Sequence, residues 1–74
     1  MSALTFKQYL KERRVADNAA GDFVADAKAD SRMPNAKSWD QLETYLITQA
    51  AIPDAIRAAK VVWRGYLAKR KWAT

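Results

Sequence analysis

Seventy-four residues carrying thirteen basic and eight acidic side chains, with no His and no Cys, narrow the field before any motif is read. At this length only about 60% of the unfolded chain's surface can be buried, so one core must be built economically, with no disulfide and no structural zinc to assist it. Half the residues are apolar or aromatic, Gly and Pro number two each, and strand-like alternation is scarce, which predicts an all-α single domain over residues 1–74.

In chain order, Thr5 and Gln8 stand at capping-box spacing, and Phe6, Tyr9 and Leu10 mark one face of a helix expected over residues 6–14. Lys7, Lys11 and Arg14 fall on a different face. Asp17 and Asn18 are cap candidates for a second helix, in which Ala20, Phe23, Val24 and Ala27 form the apolar side and which should end near Asp30. Met33-Pro34 stops it, because the residue before proline avoids the α region. Ser38 and Gln41 repeat the capping-box spacing before a third helix with Trp39, Leu42 and Leu46 on one side, and Asp40 and Glu43 suit its positive end. Pro53 and Asp54 open a longer fourth helix, whose apolar stripe runs through Ile52, Ile56, Ala59, Val62, Trp63 and Tyr66. The expected core covers about residues 5–67 and rests on Phe6, Tyr9, Leu10, Phe23, Trp39, Leu42, Leu46, Ile56, Trp63 and Tyr66. Residues 68–74 form a basic tail in which Arg70 points the same way as Trp63, so this tail should run past the bundle or fray.

Charge is distributed unevenly. Residues 1–16 hold four basic side chains and one acidic, residues 17–49 three and six, and residues 50–74 six and one. Packed side by side, the two terminal helices could join their basic faces, leaving the middle helices to present an acidic one. On the fourth helix Arg57, Lys60, Arg64 and Lys71 lie well over 90° from the side of Ala59, Trp63 and Tyr66.

The blocks FKQYL, DFVADAKADSRMP, WDQLETYL and VVWRGY, in this order and spacing, resemble the YozE-like family of small bacterial proteins over about residues 5–67. The most specific block is Asp22-Phe23, Ala27, Asp30 and Met33-Pro34, with Met33 where the family shows an aromatic. The resemblance implies a bundle of four short helices similar to a sterile alpha motif domain, and nucleic-acid or protein binding by analogy with that fold. The basic stretch Lys69 to Trp72 departs from the family, so no role for it carries over.

Two functional readings follow from the charge pattern. In the leading one Lys7, Lys11, Arg14, Arg57, Lys60, Arg64, Lys69, Arg70 and Lys71 neutralise phosphates of a nucleic acid, and Trp72 stacks on a base. The alternative is a protein-interaction module, self-associating where an acidic surface around Asp22, Asp26 and Asp30 meets a basic one. Each has an ordinary counterpart, since basic faces keep small proteins soluble and aspartates at four-residue spacing usually form a solvated helix face. No catalytic residue, cofactor, metal ligand set or small-molecule substrate is expected: the chain has no His or Cys, no Gly-rich phosphate cradle and no paired acid and base. No apolar run approaches the roughly 18 residues of a spanning helix, and MSALTFKQYL lacks signal-peptide order, so a cytoplasmic chain without membrane contact is expected.

If Trp63 closes the core as its helical position requires, Trp63→Ala should lower unfolding stability by about 3–5 kcal/mol. Chemical denaturation measures this directly, and a variant as stable as the parent would put Trp63 on the surface.

Overall fold

In a computed structural model, residues 4–15 and 17–73 are described, apart from the side chains of residues 72 and 73. Each of its first three helices begins at a side-chain cap. The Thr5 hydroxyl accepts from the Gln8 backbone N–H at 3.2 Å and the Gln8 amide accepts from Thr5 N–H at 3.0 Å, so two otherwise unpaired donors are satisfied at the start of α1 (Phe6–Glu12). A third is taken from outside the helix, where Asn35 Oδ1 accepts from Lys7 N–H at 3.1 Å. Asn18, not Asp17, caps α2 (Ala19–Ala29) through the Gly21 N–H at 2.8 Å. Ser38 caps α3 (Trp39–Thr48), but the Gln41 side chain reaches back to Lys37 N–H rather than to Ser38. Pro53 occupies the first position of α4 (Pro53–Ala73), where its missing N–H has no helical partner to lose.

Helix α1 is shorter than expected. Arg13 turns to extended backbone at φ −73°, ψ 134°, its N–H closing on the Tyr9 carbonyl, so Arg14 lies beyond the helix. Helix α3 ends in a Schellman arrangement, with Ala51 N–H bonded to Leu46 O at 3.0 Å and Ala50 N–H to Ile47 O at 2.9 Å. The reversal requires Ala50 at φ 58°, a left-handed conformation that glycine adopts without a Cβ penalty.

Among the described residues there are four helices and no strand, and α4, 21 residues long, packs against each of the other three. Phe6 and Tyr9 of α1 meet Trp63 and Tyr66 of α4 as a ring cluster with centroid separations of 5.0–5.6 Å, all tilted or edge-on. The Tyr66 hydroxyl donates to the Leu4 carbonyl at 2.9 Å, tying α4 to the chain entering α1. Gly65 lets α1 lie this close: a Cβ there would stand 3.0 Å from Arg13 Nη1 and collide with the Tyr9 hydroxyl. Phe23, Val24 and Ala27 of α2 and Leu42 and Leu46 of α3 complete the core, together with Met33 and Ala36 from the α2–α3 connection.

Eight of the ten expected core residues are buried, whereas Trp39 and Ile56 are only half-buried at the edge of the cluster. Ile52, placed on the apolar stripe, is 65% exposed, because it precedes α4 and its carbonyl, not its side chain, does the work of starting the helix by accepting from Ala55 and Ile56 N–H. The basic tail does not fray before Ala73; residues 67–71 are helical and exposed, so α4 outruns the bundle. No helix among the described residues is long and apolar enough to cross a membrane.

The α2–α3 connection is anchored by Asp30, the C-cap residue of α2. Its carboxylate accepts from Arg32 N–H at 2.9 Å and from the Tyr45 hydroxyl of α3. The Tyr45 bond chiefly, then the Arg32 N–H, holds the Asp30 carboxyl below the usual carboxylate range, and the same bond pushes the Tyr45 phenol up. A lowered Asp30 value means that the link contributes stability above the unfolded-state pKa of about 4 and loses it as pH falls through the folded-state value. The raised Tyr45 value means that the contribution is fully present below the unfolded-state pKa of about 10 and is lost as pH rises through the higher folded-state value.

Two outcomes are expected. Ala50→Gly should raise stability by about 0.5–1 kcal/mol, since it removes the left-handed penalty at a site already in that conformation; a lower melting temperature would contradict the Schellman assignment. Tyr45→Phe should melt below the parent at neutral pH, with the gap narrowing under acid conditions as Asp30 protonates. A gap that stays constant in acid would mean that the Asp30 carboxylate is not the partner.

Candidate functional site

With the aromatic face of α4 turned inward by its contact with α1, the opposite arc is fixed in solvent. Arg57, Lys60, Arg64 and Lys71 are all exposed there, on a single continuous helix. The neighbours of Arg57 and Lys60 show how this face meets the rest of the bundle. Arg57 Nη1 lies 3.1 Å from Asp54 Oδ1, an ion pair one turn away in which both side chains are 79% exposed, so its energetic weight is small. The Lys60 ammonium sits 5.5 Å from the Trp39 ring centroid of α3, which explains why Trp39 is half-buried: its ring supports a surface cation as well as the core edge.

The cations of α1 keep different company. Lys7 and Lys11 border a groove between α1 and α2, floored by Leu10, Ala27 and Met33 and edged by Lys28 and Asp30. Lys28 donates to the Arg13 carbonyl at 2.9 Å, tethering α2 to the end of α1. The structure thus joins the terminal helices through the aromatic cluster and sets Lys7 and Lys11 at the groove with α2, while Lys60 borders α3. Arg14 is exposed just past α1. Arg13 was given no role by the sequence pattern, yet its guanidinium lies over the Tyr9 ring at 5.7 Å and donates to the Tyr9 hydroxyl. Arg13 stands four residues after Tyr9, the spacing at which side chains on a helix are neighbours, so this contact was within reach of the sequence pattern.

Lys69, Arg70 and Lys71 lie on the exposed overhang of α4, and Arg70 borders a groove with Leu4, Thr5, Phe6 and Lys37 at the entry to α1. The Trp72 side chain falls outside the described residues.

The acidic residues divide in two. Asp22 and Asp26 are exposed on α2 and, with Asp54 of α4, surround a groove floored by Phe23, Ala55 and Ala58. Asp30 is half-buried, bonded to Tyr45, and borders the lysine-edged groove instead. Asp54 entered this surface through tertiary packing alone, since nearly thirty residues separate it from Asp26. Among the described residues no group of three or more acidic side chains is placed to hold a metal ion.

What the arrangement can do chemically is attract and hold. It offers a linear cationic face, a lysine-edged groove and an acidic, apolar-floored groove on one small bundle. Searches of curated proteins and of solved structures found no match. The family described as the YozE SAM-like fold matches residues 5–68, covering all four helices up to the start of the α4 overhang. That fold is compatible with a binding module. On this match and the four-helix architecture, the chain belongs to the YozE SAM-like family.

Proposed function

We propose that this domain is a non-enzymatic module that binds nucleic acid through the outward face of α4. The observation carrying this reading is the stripe Arg57, Lys60, Arg64 and Lys71, exposed along one side of a helix whose other side is locked into the core. From Arg57 to Lys71 the stripe spans about 21 Å, roughly six nucleotide steps of one strand, so several phosphates can be met without bending the helix. Lys7, Lys11 and Arg14 add to the long-range attraction of a chain with net charge +5. Contacts of this kind position a backbone without reading bases, so the binding is expected to be indifferent to sequence and sensitive to salt.

The test is fluorescence anisotropy with labelled single- and double-stranded DNA and RNA at two salt concentrations, comparing the parent with the triple variant Arg57→Glu, Lys60→Glu, Arg64→Glu. Expected are a loss of at least about tenfold in affinity and a shallower dependence of log K on log salt, by about two to three units for three phosphate contacts. Circular dichroism confirms that the variant is folded. A folded variant with the parent's affinity and salt slope would overturn the α4 interface.

A further inference from the structure

Packing leaves two aromatic residues of the bundle half-buried, Trp39 and Tyr45. Tyr45 is accounted for by Asp30, to which its hydroxyl donates. Trp39 meets a cation instead. Its ring, at the first position of α3, rests partly on the core and partly under the Lys60 ammonium, 5.5 Å from the ring centroid. Lys60 is exposed, so the face it covers is the outward one. Arg57 and Arg64 stand about one turn to either side of Lys60 along α4, and a phosphate backbone laid on this stripe passes beside the indole. The α3 side carries the opposite charge, with Asp40 next to Trp39 in the chain and Glu43 one turn on. Carboxylates repel phosphate, so the charges on the two sides of the ring orient a strand with its backbone over α4 and its bases toward α3.

We infer that Trp39 is a stacking platform for an unpaired nucleobase, which makes the ligand of this face a single strand. The inference rests on the nucleic-acid reading of the α4 stripe and adds the residue that engages the bases. Lys60 acts as a movable cover: its ammonium, on a flexible four-carbon stem, leaves the ring for a phosphate, and a base takes the face it vacates. The cation gives up only a weak contact at an exposed site, whereas a base gains the stronger stacking of two π-faces. Every base has such a face, so the platform tolerates all sequences. A base within a duplex is already stacked on both sides and does not reach the ring.

The test compares affinities for two ligands of equal length, single-stranded oligothymidylate and the same backbone with every base removed. The proteins are the parent and Trp39→Leu, with folding of the variant verified by circular dichroism. The parent should bind oligothymidylate at least about fivefold more tightly than the abasic strand, and in Trp39→Leu this ratio should fall toward one. A second measurement leaves Trp39 in place and decides the matter should Trp39→Leu not fold. In Trp72→Phe the remaining indoles are Trp39 and Trp63, and Trp63 is only 4% exposed. Saturating oligothymidylate should quench the emission of this variant, and the abasic strand should not. A parent that binds both strands equally overturns the platform and leaves the α4 stripe standing, whereas one that binds neither overturns both. A preference that survives in folded Trp39→Leu, or an emission that oligothymidylate leaves unchanged, also overturns the platform.

Discussion

The contact between α1 and α4 governs the rest of the molecule. Four aromatic rings, Phe6, Tyr9, Trp63 and Tyr66, meet at centroid distances of 5.0–5.6 Å in tilted and edge-on geometries. In a chain this small they supply much of the apolar area that can be withdrawn from water. The approach depends on Gly65, since any side chain there would meet Tyr9 and Arg13, and it is secured by the Tyr66 hydroxyl on the Leu4 carbonyl. Once this face of α4 is committed to α1, the rotation of the helix is fixed, and its cationic arc has no direction left except outward.

The remaining helices fill what that contact leaves open. Helix α2 lies along α4 with Phe23, Val24 and Ala27 buried, and α3 closes the side near Trp39 and Lys60. The segment between α2 and α3 is not a passive connection. Asn35 caps α1, Asp30 bonds Tyr45, and Met33 and Ala36 enter the core, so this stretch touches three of the four helices. Lys28, bonded to the Arg13 carbonyl, closes the other seam between α1 and α2. Polar bonds at these junctions set register, whereas the apolar interior provides the driving force.

The charged features of this bundle lie on its surface. The same helix carries the cationic stripe along its middle, an acidic and apolar groove at its start and a basic overhang at its end. A helix of 21 residues keeps these three features at fixed separations. The small size of the domain also means that the surfaces cannot be altered without regard to the core. Lys60 rests on Trp39, and Trp39 is at once part of the cluster's edge and the platform for that cation.

Much of this was legible in the chain alone. Helix number and order followed from apolar periodicity and from caps at Thr5, Asn18 and Ser38, because these signals are local: a hydroxyl or amide three residues from a free N–H needs no distant partner. The four-block resemblance and the separation of Arg57, Lys60 and Arg64 from the apolar stripe were equally readable, since both follow from spacing along one helix. What only the tertiary structure decided involves residues far apart in sequence or outside regular periodicity. Met33 and Ala36 pack inward from a loop, Ile52 is left in solvent, and Asp54 joins Asp22 and Asp26 while Asp30 turns to Tyr45. The periodicity of a helix states which side chains share a face, but which neighbour covers that face, and where the cover ends, is settled by the packing of the other helices.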